Sequence, residues 1–434
     1  MELRGSRDGA RTFARGRITD TGGPRRPEPR QRAPAFQVQS GQTVPAPERF
    51  GPVYLDCAAT CPIDPRVQAE LRRFSEVDFG NAGSRTHVPG QVARQAVERA
   101  RAHVARVAGV RRNEVIFTSG ATESNNLAIL GLEPFGRTEK RTHLVSTTIE
   151  HHAVLEPLRV LAGRGFDLTL VDPEPGGWVD AGRVAAAVRP DTLLVSVMQV
   201  NNETGVQQPI TGIADRLSGS RAFLHVDAAQ GFGKALDALR HRRVDLVSAS
   251  GHKLCGPKGT GALIARQRDG RRPPLTPLLY GGGQELGLRP GTLPVALIAA
   301  FGKAAELALD EHAARREAAE RFGQRLLEGL APLAPRVHGD PARRLPYILN
   351  LSIPGWDKET LIEAWADLAA ISDGAACTSQ SYTCSHVLAA MGLSAQDEAG
   401  AVRISWCHLS EAPDLEAMTG ALLAGSASGA PRSS

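Results

Sequence analysis

The sequence predicts an α/β fold with a mostly parallel central sheet, helices on both faces, and a smaller α+β domain. Two observations carry this. From about Val115, short β-branched runs bounded by Gly, Asp or Pro alternate with amphipathic stretches, the pattern of strands joined by helical crossovers. Beyond about residue 311 the alternation stops, and one long helical pattern is followed by isolated strand runs.

In chain order, GQVARQAVERARAHVARVAG (90–109) sets Val92, Ala96, Ala100, Val104 and Val107 on one helical face. The strand runs are VIFTS (115–119), HLVST (143–147), LTLVD (168–172), LLVSVM (193–198), AFLHVD (222–227), DLVSAS (245–250) and GALIA (261–265). EHAARREAAERFGQRLLEGLAP (311–332) is a long amphipathic helix, and YILNLSI (347–353) and AVRISW (401–406) are strands beyond it. The expected organisation is a large domain over 64–310, a small one over 51–63 and 311–424, and loose tails at 1–50 and 425–434.

Of the 51 basic and 46 acidic residues, the first 50 positions hold ten Arg and five acidic groups, so the rest is neutral. The basic excess belongs to a tail containing GGPRRPEPRQRAPA (22–35), a composition expected to be disordered. Its prolines disfavour the amphipathic helix of a transit peptide, and a non-functional extension or an over-long start is the simpler reading. A neutral body argues against a nucleic-acid groove. No apolar run reaches the roughly 18 residues of a membrane span, and no secretory signal core opens the chain. The cysteines at 57, 61, 255, 377, 384 and 407 form no CxxC pair and no zinc-finger spacing. No metal site is expected, and scattered cysteines suit a reduced, cytoplasmic chain.

Ligands of open parallel sheets gather beyond the carboxyl ends of strands. After the 115–119 run comes SGATESNN, a Gly turn into a helix N-terminus that can bind an anion, with Thr122 adding a hydroxyl or serving as a plain cap beside Glu123. Asp227 ends one apolar run as a buried carboxylate or another cap. DLVSAS feeds SGHK, placing Ser250, His252 and Lys253 in one crevice. The chain has six Lys against 45 Arg, and only Lys253 and Lys258 lie near a strand end. An amine that must lose its proton cannot be Arg. An anion cradle, a carboxylate and a lysine at separate strand ends are what pyridoxal 5'-phosphate demands. No G-x-x-x-x-G-K-[ST] supports a nucleotide enzyme instead.

YLDCAATCPIDPRV (54–67), FTSGATESNNLAI (117–129), EHHAVLEP (150–157), VNNETGV (200–206), HVDAAQ (225–230), SGHKLCGPKGTGAL (250–263), GLRPGTLPV (287–295) and ACTSQS (376–381) resemble, in order and from about Tyr54 to His408, the cysteine desulfurases of the NifS/IscS type. These are class V aminotransferase-fold enzymes, so the resemblance implies the pyridoxal-phosphate transferase fold of type I. It implies that Lys253 holds the cofactor covalently, Asp227 pairs with its ring nitrogen, and Gln230 bonds its phenolate oxygen. His151 would stack on the ring; read from its own surroundings it is an ordinary core histidine. Ala121, Thr122, Ser250 and His252 would bind the phosphate, joined by Thr292 from a partner subunit in a homodimer. Asn202 would lie near the ring or substrate. Arg403 would bind the substrate carboxylate through its planar fork, against the alternative of an edge-strand charge. Cys377 matches the nucleophile that takes sulfur from L-cysteine, on a loop whose small polar residues offer few apolar anchors. Cys384 matches no family role.

Departures refine the resemblance. Cys57 and Cys61 stand within the segment that housekeeping desulfurases write D-Y-x-A-T-T, and Gln284 and Leu286 replace His and Arg of GGGHE-R. DFGNAGSRTH (78–87), TSQSY (378–382) and SWCH (405–408) are closer to the DNA-phosphorothioation-associated (DndA-like) subfamily. That implies sulfur passed to an acceptor in a DNA-modification complex. The alternatives are the same chemistry feeding iron–sulfur cluster or tRNA-thiolation partners, or a related aminotransferase or selenocysteine lyase that needs no Cys377. A binding scaffold with a vestigial site is disfavoured, because Asp227, Lys253, Cys377 and Arg403 are all retained.

Overall fold

The computed structural model describes residues 51–374 and 385–427, with side chains through 424; Cys377 and Cys384 lie outside them. Seven strands form the main sheet: β1 (Val115–Thr118), β2 (His143–Thr147), β3 (Asp167–Val171), β4 (Thr192–Met198), β5 (Phe223–Asp227), β6 (Leu246–Ser250) and β7 (Gly261–Ala265). Their spatial order is β1-β7-β6-β5-β4-β2-β3. The pairs from β6 through β3 are parallel, while β7 runs antiparallel to both neighbours. The reversal has a local cause. Residues 251–260 join β6 to β7, fewer than the dozen or so that a parallel crossover needs.

Alternate side chains of each strand enter opposite cores. Val115, Phe117, Val145, Val195, Val226 and Val247 pack with α1 (Val88–Ala108) and α4 (Val295–Asp310). Ile116, Leu144, Leu194, Leu246 and Leu263 pack with α2 (Ala121–Leu130) and α3 (His152–Gly163). Apolar residues on both faces make the strands continuous hydrophobic runs, which is why they were legible. α1 and α4 touch closely: a Cβ on Gly302 would stand 2.4 Å from Cα of Ala100.

A second sheet, β8 (Arg336–His338), β9 (Ile348–Ser352) and β10 (Ala401–Ser405), is antiparallel in the order β10-β9-β8. Its apolar cluster joins Leu55 and Ala58 to Leu326 and Leu330 of α5 (His312–Leu330), Trp365 and Leu422. The N-terminal strap is bound there because Val53–Tyr54 pairs in parallel with Ala369–Ala370. Among the described residues, no helix is long and apolar enough to cross a membrane.

Candidate active site

The carboxyl ends of β1, β2, β4, β5 and β6 open into one cavity of about 450 Å³. Ala121, Thr122, His151, Asn202, Asp227, Gln230, Ser250, His252, Lys253 and Arg403 all line it. Lys258 lines it as well. Thr292 is exposed and is not among its walls.

At one end, β1 turns through Ser119 and Gly120 into α2, whose first backbone N–H groups and dipole face the cavity. The Glu123 carboxylate, not Thr122, accepts the Ser119 N–H at 2.7 Å, so the Thr122 hydroxyl is not spent as a cap. Ser250 and His252 approach from the end of β6. The turn lies this close to the sheet only because β7 starts with glycine: a Cβ on Gly261 would stand 2.4 Å from the Ala249 carbonyl and 2.6 Å from Cα of Gly120. His252 meets the Thr60 hydroxyl at 3.2 Å. Burial, aided by the Lys253 charge, holds its ring down to about 4, so it is neutral near pH 7.

At the other end stands Asp227, buried at the close of β5. Its two oxygens accept from Nδ2 of Asn125 at 2.8 Å and from the Ala229 N–H at 2.9 Å. Both bonds fix the carboxylate plane. Asn125 sits inside SGATESNN, yet nothing in the sequence marked it as the orienting group. Only the packing of α2 across β5 brings it there.

Between these ends, Lys253 occupies a 3-10 turn over Gly251–Lys253. Its Nζ donates to the carbonyls of Ala58 and, at 2.7 Å, Ala59. Gln230 donates to the Ala58 carbonyl at 2.8 Å, and its own Oε1 is buried without a hydrogen bond. His151 caps α3, accepting the Ala153 N–H on Nδ1 at 3.0 Å. Burial lowers its pKa despite the nearby Asp227. An Nδ1 that accepts leaves the other ring nitrogen to carry the proton.

Arg403 projects from β10 and is 3 % exposed. One arm of its guanidinium donates to the Asn202 carbonyl at 3.0 Å, and the other meets the Asp56 carboxylate at 2.8 Å. Its Nε is buried without a hydrogen bond. The GGGQEL segment is built differently from its pattern. Glu285 is buried and accepts from Arg101 at 2.6 Å and from the Phe117 N–H at 2.7 Å, while Gln284 accepts the Gly291 N–H at 2.9 Å. Leu286 points outward, 55 % exposed.

Beneath the cavity, Glu150 receives the Met198 N–H and the Thr147 hydroxyl on one oxygen at 2.9 and 2.7 Å, and its other oxygen has no partner. Burial raises its pKa from 4.5 to about 8. The native state thus holds this proton more tightly than the unfolded chain. The stabilisation is complete below about pH 4.5 and is lost as pH rises through about 8. Glu150→Gln cannot ionise. Its stability relative to the wild type is expected to improve by up to about 1.4 kcal/mol per pH unit across that window and then level off. Denaturant melts at three pH values check this; parallel curves would contradict it.

The donor set fits pyridoxal 5'-phosphate. An N–H and hydroxyl cradle stands at one end, an oriented carboxylate at the other, a lysine between them, and the Gln230 amide on the wall. Cys57, Cys61, Cys255 and Cys407, scattered along the sequence, are unbridged and buried together in one cluster.

A family model, aminotransferase class-V, matches residues 53–418. Cysteine desulfurase IscS of Methylococcus capsulatus is 44% identical over 366 residues, covering 84% of this chain and 90% of that protein. Among solved structures, DndA from Streptomyces lividans is 46% identical with a TM-score of 0.71, covering 82% of this chain and 99% of that one. SspA in complex with cysteine is 35% identical with a TM-score of 0.72, covering 83% and 100%.

Proposed function

The chain belongs to the class-V aminotransferase family and is a pyridoxal-phosphate-dependent cysteine desulfurase, and from that premise we propose that it loads sulfur from L-cysteine onto Cys377 for a DNA-phosphorothioation system. The observation that carries the destination is the 46% identity to DndA over 99% of that chain, in accord with the DFGNAGSRTH and SWCH motifs. We also read the enzyme as a cytoplasmic homodimer, with Thr292 serving the partner's phosphate site. The large and small domains divide near residues 63 and 311, a reading supported by the separate apolar cluster around Leu55, Trp365 and Leu422.

Bound pyridoxal phosphate supplies a sink for negative charge at the substrate Cα. Asp227, held in plane by Asn125 and Ala229, keeps a proton on the ring nitrogen. The backbone N–H groups of Ala121 and Thr122, with Ser250 and His252, take the phosphate. Gln230 would donate its amide N–H to the ring oxygen, and His151 would lie against the ring. Arg403, paired with Asp56, takes the substrate carboxylate beside Asn202. The Lys253 amine carries the Cα proton. Cys377 would attack as thiolate on the substrate sulfur: the new S–S bond forms as the substrate C–S bond breaks, the electron pair of that bond goes to Cβ, Cβ takes up a proton equivalent to the one lost from the substrate thiol, alanine leaves, and the persulfide remains on the enzyme. No external oxidant enters this balance.

Labelled sulfur tests the destination. After loading with radiolabelled L-cysteine, the enzyme is offered the subunits of a DNA-modification complex, an iron–sulfur scaffold and a tRNA-thiolation acceptor. Transfer to the first at least about tenfold faster, the size of a modest electrostatic or contact preference, is expected. Preferential transfer to the scaffold or the tRNA acceptor would contradict it.

A further inference from the structure

Four cysteines that the desulfurase chemistry does not use converge in the fold. Cys57, Cys61, Cys255 and Cys407 are buried in one cluster, unbridged. They come from three separate segments: the N-terminal strap, the loop carrying Lys253, and the end of β10. The Cys61 Sγ lies 3.4 Å from the carbonyl oxygens of Cys57 and Lys253, inside this cluster. Cys255 and Cys407 lie beside His408. The sulfurs of these two and a ring nitrogen of His408 lie within 4.8 Å of one another. His408 is largely buried, and its Nε2 makes no hydrogen bond; the nearest carboxylate oxygen, on Asp64, is 3.5 Å away. None of the four thiols lines the cofactor cavity.

Isolated buried cysteines behave as small apolar residues. Four thiols and an imidazole assembled from distant segments are a different arrangement. With bonds of about 2.3 Å to zinc, tetrahedral sulfurs stand about 3.8 Å apart; Cys255, Cys407 and His408 offer three ligand atoms within 4.8 Å of one another, and Cys57 and Cys61 pack in the same buried cluster. We propose that Cys57, Cys61, Cys255 and Cys407, with His408 at their edge, bind one divalent cation of the zinc class. Each thiol that binds gives up its proton.

The site is structural and lies directly behind the cofactor lysine. Cys255 follows Lys253 by two positions, and the Cys61 N–H donates to the His252 carbonyl at 2.9 Å. The Asp64 N–H donates to the Cys255 carbonyl at 3.0 Å. An ion here clamps the strap whose Ala58 and Ala59 carbonyls receive the lysine amine. The substitutions at positions 57 and 61, which set this chain apart from the housekeeping pattern, thereby acquire one shared purpose.

Elemental analysis of the untagged, cofactor-loaded enzyme tests the site. About one zinc per chain is expected, as in closed structural sites. Cys255→Ser/Cys407→Ser is expected to lose at least about nine-tenths of it, while Cys377→Ser/Cys384→Ser keeps it. Should the first variant fail to fold, the wild type stripped by chelator and titrated with Co²⁺ gives an independent reading. Saturation near one equivalent, with the intense red-region bands of tetrahedral thiolate coordination, supports the site. Less than about a tenth of an ion per chain with no such bands overturns it. So does metal retained in Cys255→Ser/Cys407→Ser or lost from Cys377→Ser/Cys384→Ser, or iron with acid-labile sulfide in place of a single ion.

Discussion

Cys377→Ser is expected to bind cofactor with the wild-type visible spectrum yet form alanine from L-cysteine at least about 10³-fold more slowly, and to release no sulfide on reduction. The reasoning separates binding from sulfur acceptance. The groups proposed to hold the cofactor stand at the ends of β1, β5 and β6 and on their following turns, and the role proposed for Cys377 is sulfur acceptance. A serine hydroxyl cannot replace a thiolate attacking sulfur, because the alkoxide is inaccessible near neutral pH while a thiol with an ordinary pKa near 8.5 is partly ionised. The expectation also discriminates between enzyme classes. An aminotransferase or a selenocysteine lyase working without a protein thiol would leave the serine variant near wild-type rate, and that rate would remove Cys377 from the mechanism.

Lys253→Ala is expected to purify without the yellow colour of the lysine-bound cofactor and to lose about 10³-fold or more in turnover. Two functions vanish together: the covalent anchor and the amine that moves the Cα proton, the latter alone worth roughly 10²–10⁴ in rate. The carbonyls of Ala58 and Ala59, which receive Nζ, would then face a gap the size of the lost side chain. A small primary amine added to the buffer can enter that gap and carry the proton, so partial rescue by methylamine is expected. A coloured variant retaining more than about a tenth of its rate would move the role to another amine. Lys258, the other lysine on the cavity wall, is the group to substitute next.

The parts of this molecule legible in the sequence share a physical basis. β7, GALIA, falls where its apolar run predicted, because a strand covered on both faces favours continuous apolar residues; β2, HLVST, also falls where expected, with its buried His143, Ser146 and Thr147 each hydrogen-bonded. Ala121, Thr122, Asp227, Ser250, His252 and Lys253 line the cavity, and each stands at or just beyond a strand end, where the fold concentrates binding; Thr292 does not. What escaped depends on long-range register. Asn125 and Asp227 meet across 102 positions, and Arg403 and Asp56 across 347. No local pattern encodes either pair. The same holds for the thiol cluster: spacing rules for metal sites see only ligands on one or two adjacent segments, whereas these cysteines meet through the pairing of the strap with the end of β10, where the Cys57 N–H donates to the Ser405 carbonyl at 3.1 Å. The antiparallel β7 was also missed as such, since a strand's direction is set by the length of its connection and not by its composition.

Single-turnover mass spectrometry tests the central assignment most directly. The enzyme is mixed with one equivalent of L-cysteine without reductant, quenched, digested, and its peptides weighed while alanine is counted. The account predicts that alanine formation is matched by the gain of one sulfur atom on the peptide containing Cys377, and that this gain disappears on reduction. Alanine formed with that peptide unmodified, or with the sulfur found on Cys57, Cys61, Cys255 or Cys407, would contradict it.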